Sequence, residues 1–242
     1  MRKLMTGVAL AMGLAAGAVQ GQTTEGWSFE VTPLVWYAGL EGDLKVAGRS
    51  ADFEKDASDL LDAAEFGGSV RLGAAYDRFV IGALVDYFSL STDELDEEDQ
   101  PKGGTVDSKM LLTEALVGYR LDGWSDGQSF VLGLGVRNLN LETDLESNRG
   151  ATFSDERDIT DLMFVPLSPS RIDGLRFNPV MGIGAGDSDL AYELFPHLQY
   201  EVTDLLAIRF GYRRVGWRFE GAGDNEFNAD LAGLILGAGI KY

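Results

Sequence analysis

The segment Asn228 to Tyr242 reads NADLAGLILGAGIKY, and its alternation decides the fold. Counting back from the end, Tyr242, Ile240, Ala238, Leu236, Leu234 and Ala232 share one parity. The other parity holds Lys241, Gly239, Gly237, Ile235 and Gly233, mostly small side chains ending in a charge. Successive side chains of a strand point to opposite faces. An apolar face ending on an aromatic suits a strand whose outer side meets hydrocarbon rather than a packed core. The segment is expected to close an outer-membrane β-barrel.

Working outward, the same rhythm recurs. Trp27 to Leu40 alternates Trp27, Phe29, Val31, Pro33, Val35 and Tyr37 with Ser28, Glu30, Thr32, Leu34, Trp36 and Ala38. Pro33 lacks a ladder donor, so a bulge or unpaired position is expected there. A polar loop, Glu41 to Ala64, follows, with a helical turn near Leu60 capped by Ser58 or Asp59. Strands at Phe66–Tyr76 and Phe79–Ser91 flank a tight Asp77-Arg78 turn. Acidic loops then separate Met110–Leu121 and Ser129–Leu141 from the irregular Ile159–Leu167, where Pro166 and Pro169 blur the pattern. Leu175–Gly186, Leu190–Val202 and Leu205–Phe219 lead to the closing strand. The count is about ten antiparallel strands, an even number with short turns alternating with longer loops, and eight is the alternative. Membrane strands take roughly 9–11 residues each, which leaves the remainder for loops.

The bulk properties agree. The chain has 242 residues, 31 of them Gly against 6 Pro, which places the glycines in strands and turns rather than in disorder. With no Cys, disulfides, thiolate metal sites and a cysteine nucleophile are excluded. A net charge of −19 argues against nucleic acid as a partner. Residues 1–21 have the form of a signal peptide: Arg2 and Lys3, an apolar run from Met5 to Ala18, then small residues before a cut at Gln22, with a cut after Ala18 as the alternative. The barrel domain is then 22–242, exported to the cell outer membrane. No later apolar run is long enough for a spanning helix.

A soluble sandwich alternates too, but the polar parity here carries Glu30, Arg71, Asp86, Glu114, Arg120, Arg137, Glu193, His197, Arg209 and Arg213. A sandwich core cannot bury so many ionisable groups without partners or water. These residues are the candidate lumen charge network. At this strand number side chains fill most of a barrel interior, so opposite charges are expected to pair as a plug, with an open pore as the alternative.

Five stretches carry a family resemblance: TPLVWYAGLEGDL, DFEKDASDLLD, VGYRLD, FGYRRVGWRFE and GLILGAGIKY. Together they resemble a largely uncharacterised group of small Gram-negative outer-membrane barrel proteins, loosely similar to the opacity-type barrels. The resemblance implies location and fold, and no activity. Tyr242 stands where that group usually has Phe.

Catalytic chemistry has little to work with. His197 is the sole histidine, so no two-histidine metal site exists, and any triad must use it with Ser129, Glu201 or Asp86. No nucleophile-elbow motif accompanies it. The run Asp93–Asp99 lacks the spacing of a calcium loop but suits cation-bridged contact with lipopolysaccharide phosphates. GAGIK and GIGAGDSD open no helix and lack a P-loop Lys-Ser/Thr pair. The expectation is a non-enzymatic barrel without cofactor, catalytic residue or metal ligand, in a structural or surface-interaction role. A small diffusion channel is the alternative and an outer-membrane hydrolase a lesser one. Expected partners are outer-membrane lipid and lipopolysaccharide, and the barrel-assembly machinery acting through 228–242.

Overall fold

The computed structural model describes residues 26–46, 49–92, 104–122, 129–147, 152–172, 175–220 and 226–242. The expected signal segment 1–21, the acidic run Asp93–Asp99 and most of the connections near 122–128 and 220–227 lie outside the described residues.

The strands are β1 (Trp27–Val46), β2 (Arg49–Lys55), β3 (Ala64–Tyr76), β4 (Phe79–Thr92), β5 (Gly104–Asp122) and β6 (Ser129–Ser147). They continue with β7 (Thr152–Leu167), β8 (Ser170–Ile172), β9 (Leu175–Gly186), β10 (Leu190–Glu201), β11 (Leu206–Glu220) and β12 (Glu226–Lys241). One short helix, α1 (Ala57–Ala63), lies between β2 and β3. Neighbours pair antiparallel in the order β1-β3-β4-β5-β6-β7-β9-β10-β11-β12, and β12 returns to β1. The circuit is a closed barrel of ten strands; β2 folds back on β1 beyond the end of β3, and β8 continues β7 alongside β9. Closure leaves no unpaired edge to hydrocarbon.

The opening segment performs the closure. β12 pairs with β11 on one side and with β1 on the other, from Lys45↔Glu226 to Glu30↔Lys241. Its last residue is tied in: Tyr242 N donates to Phe29 O at 3.0 Å, and Phe29 N returns a bond to Tyr242 O at 3.2 Å. Leu234 and Leu236 are exposed on the outer wall, whereas Ile235 between them is buried in the lumen. The other strands repeat this. Val35 and Tyr37 face out while Leu34 and Trp36 face in, and Leu134 at 71% and Leu162 at 72% exposure stand fully on the outside. Such a continuous apolar wall would aggregate in water and suits a bilayer.

Two ends can be distinguished. The turn end carries both ends of the described chain and short connections; at one, Asp77 adopts φ 51°, a left-handed conformation that Asp tolerates in a two-residue turn. There Trp27 lies 5.0 Å from Tyr76 and Phe79 5.4 Å from Tyr119 between ring centroids, part of an aromatic girdle. The opposite, loop end differs from expectation. β5 begins at Gly104, β6 runs to Ser147 and β7 begins at Thr152, so strands occupy much of the expected loops. Above the apolar belt both faces meet water, and polar cross-strand contacts hold the hairpins: Lys109–Glu142 at 3.6 Å, Asn138 to Asp158 at 2.9 Å and Ser154 to Asp144 at 2.7 Å. Alternation gives no signal there.

The loop Glu41–Ala64 is also more ordered than expected. β1 continues to Val46 and folds back as β2, and α1 follows. Its cap is Asp56 rather than Ser58 or Asp59, since Leu60 N donates to Asp56 O at 3.0 Å. The segment around Pro166 and Pro169 is a true wall strand. Its pairing with β9 thins after Phe164↔Ile183, resumes at Leu167↔Val180, and passes to β8 beyond Pro169. Prolines withhold ladder donors, so the strand survives as two pieces.

Candidate functional site

The lumen is filled in layers. Inward residues at mid-height on β4, β5, β6, β10 and β11 bring Asp86, Glu114, Arg137, Glu193 and Arg213 to one level of the barrel. Arg213 is fully buried and binds three carboxylates: Asp86 at 2.6 Å, Glu114 at 2.9 Å and Glu193 at 2.8 Å. Arg137 binds Glu114 at 2.8 Å and Glu193 at 3.1 Å, and donates to the Tyr192 carbonyl at 2.9 Å. Each guanidinium also faces an indole: Arg213 lies 4.7 Å from the Trp36 ring and Arg137 5.7 Å from Trp217. Charges taken out of water need such multiple partners to offset desolvation. Leu34, Leu112, Val215, Leu231 and Ile235 belong to the same buried interior. The interior is thus an ion-paired waist packed against apolar side chains.

Toward the turn end a second group forms around Arg209, which is 4% exposed. It pairs with Glu30, donates to Thr32 Oγ1, and donates to Gln199 Oε1 at 2.8 Å. Gly239 on β12 makes the room: a Cβ there would sit 2.5 Å from Glu30 Oε1 and 2.9 Å from Thr32 Oγ1. Arg71 and His197 share a cavity with this group. His197 stacks on Phe195 at 4.4 Å, and its Nδ1 lies 3.4 Å from the Phe195 carbonyl. The acids considered for a triad are engaged elsewhere, Asp86 by Arg213 and Glu201 by Arg176 and Lys241. Arg120 stands apart at the rim, donating to the Asp77 carbonyl at 3.4 Å. No group of metal-holding side chains occurs among the described residues.

Several contributors escaped the sequence analysis. Trp36 and Trp217 sat among small and polar residues of their parity, a pattern that marks them as inward but not as arginine partners. On the outer wall above the apolar belt, Tyr192 reaches over Gly216 to hydrogen-bond Asp230, which also binds Arg214 at 2.7 Å and Arg218 at 2.9 Å. Tyr192 has the outward parity expected of a lipid-facing residue, but its hydroxyl completes a polar cluster.

Fold and interior together define a class: a closed ten-stranded antiparallel barrel with an apolar outer belt and an ion-paired waist. No protein-family model and no curated protein matches the chain. Among solved structures it is similar to Neisserial surface protein A, at 14% identity and TM-score 0.34, over 90% of this chain and 98% of that one. It is also similar to the outer membrane protein OprG from Pseudomonas aeruginosa, at 15% identity and TM-score 0.37, over 90% and 96%. The translocator domain of autotransporter NalP from Neisseria meningitidis matches at 12% identity and TM-score 0.48, over 96% and 95%. These neighbours are outer-membrane or surface barrels, and the likeness is loose; the barrel assignment stands on the strand pairing described above.

Proposed function

We propose that the protein is an integral outer-membrane barrel with a sealed lumen, in a structural or surface-interaction role, whose loop-end hairpins form the contact surface. The waist carries this reading: Arg213 and Arg137 hold Asp86, Glu114 and Glu193 across the interior, under two indoles. Opposite charges clamped to one another leave few free to line a path for ions. The apolar belt and the turn-end girdle supply the membrane face. In this reading residues 1–21 direct export, and residues 228–242 present the closing strand to the barrel-assembly machinery. The loop-end strands carry acidic side chains such as Glu142, Asp144 and Glu156 into the zone of lipopolysaccharide phosphates, where divalent cations bridge like charges.

Conductance tests the seal. The refolded chain inserted into a planar bilayer is expected to give no steady current steps, whereas stepwise ion currents would favour the diffusion channel. Sedimentation of expressed protein with the inner-membrane or soluble fraction would count against the location.

A further inference from the structure

We propose that the turn-end cavity is a binding site for a small amphiphilic anion, whose oxyanion head is held by Arg71, Arg209 and Gln199. The apolar body would lie against Met163, Val165 and Val180. The inference rests on the cavity alone and holds whether or not the waist conducts.

The cavity has a volume of about 750 Å³ and reaches from the waist to the turn end, where Ser28, Lys241 and Tyr242 line it. That size falls within the roughly 300–1,000 Å³ of small-molecule sites. Its wall is two-sided. β1, β3, β10 and β11 contribute Glu30, Arg71, Gln199 and Arg209. Across the barrel from β1, β7 contributes Met163 and Val165, and β9, beside β10, contributes Val180 nearer the waist and Asn178 and Arg176 nearer the turn end. A polar arc facing an apolar arc selects a ligand with the same division.

The polar arc has donors to spare. Every carboxylate in the lining is already held: Glu114 and Glu193 by Arg137 and Arg213, and Glu30 by Arg209. Gln199 is 2% exposed, and its Nε2 has no protein acceptor; the same is true of Arg209 Nε. Among the described residues Arg71 makes no ion pair or hydrogen bond, although it lies close enough to Arg209 and Glu30 to feel their charges. Arg71 is half-buried, whereas buried donors such as Gln199 Nε2 and Arg209 Nε cost stability until something accepts from them. Two guanidiniums and an amide, with no free carboxylate among them, define an acceptor that is itself anionic, a phosphate or carboxylate.

The test uses phenyl phosphate, a water-soluble amphiphilic anion, titrated calorimetrically into the refolded chain in non-ionic maltoside micelles. One saturable site is expected. Inorganic phosphate and phenol, each lacking half of the ligand, should both bind about tenfold more weakly or worse, as should phenyl phosphate to Arg71→Ala. A second variant, Gly73→Phe, blocks the cavity sterically without touching a charge. A Cβ at Gly73 meets only Glu30 Cβ, at 4.0 Å, so the backbone has room for a side chain. This variant is expected to abolish binding with unchanged heat-dependent gel mobility, and it carries the test should Arg71→Ala fail to fold. Repeating the titration in nanodiscs separates two sources of the head group. Weaker apparent binding in phosphatidylglycerol than in phosphatidylcholine identifies a lipid head as occupant, and equal binding identifies a free solute; either supports the site. Absence of saturable binding overturns the proposal, as does equal affinity for phenol or an affinity that neither variant changes.

Discussion

The waist and the turn-end cavity are built from similar residue types and share β10 and β11, yet they are balanced differently. At the waist two arginines answer three carboxylates, and every guanidinium edge meets a partner or an indole face. One step toward the turn end, Glu30 is committed to Arg209 while Arg71 and the Gln199 amide are left over. Guanidinium donors that are all taken up inside the wall become structure, and donors left over beside open volume become a means of recognition. The two regions should therefore respond oppositely to substitution.

The largest effect is expected at the waist. Arg213→Met strands Asp86 in a buried setting, leaves Glu114 and Glu193 to share Arg137, and should lower the unfolding free energy in micelles by about 3–5 kcal/mol. A loss below about 1 kcal/mol would mean that the carboxylates are already hydrated, and the contrast would collapse. Next comes Gly239→Leu, which drives a side chain into Glu30 and Thr32 where β12 meets β1. Overpacking of this kind costs about 1–3 kcal/mol, read from the denaturant midpoint. The outer-wall cluster gives a smaller change. Tyr192→Phe removes one donor from Asp230, but Arg214 and Arg218 remain, so a loss of about 1 kcal/mol is expected in the same measurement. Arg71→Ala should be smallest, within about 0.5 kcal/mol of the parent, because it breaks no ion pair. That variant sharpens the comparison most, since its stability stays level while its anion binding falls.

The sequence made the wall legible and left most of the interior unread, for a physical reason. Parity says which side of a strand a residue faces, so Leu234, Leu236, Val35 and Tyr37 could be placed outside from spacing alone. It is silent on height along the barrel axis, which follows from the stagger between strands. Arg137 and Glu114 meet only because β5 and β6 pair Glu114 with Arg137, and Arg213 joins them from the far side of the circuit. All ten candidate lumen residues lie on inward parities, but sequence could not separate those at the waist from Arg71 or Arg120. The loop-end hairpins were invisible for a complementary reason. With water on both faces, Asp107, Lys109, Glu142 and Asp144 need no alternation, and the ladder persists without its usual pattern. Pro166 and Pro169 suggested a failing strand because proline lacks a donor; flanking pairs at Phe164 and Leu167 hold it nonetheless.

The closing strand bears on both regions, since Leu231, paired with Val215, packs on the loop-end side of Arg213 and Gly239 opens room beside Arg209. The most direct test of a sealed waist over an open cavity uses the absence of native cysteine. Single variants Gly73→Cys, in the cavity wall, and Leu231→Cys, in the buried interior on the loop-end side of Arg213, would be refolded and exposed to a charged, membrane-impermeant maleimide. Gly73→Cys is expected to label rapidly, and Leu231→Cys only after unfolding. Comparable labelling of both in the folded barrel would show water passing the arginine cluster and would contradict the account.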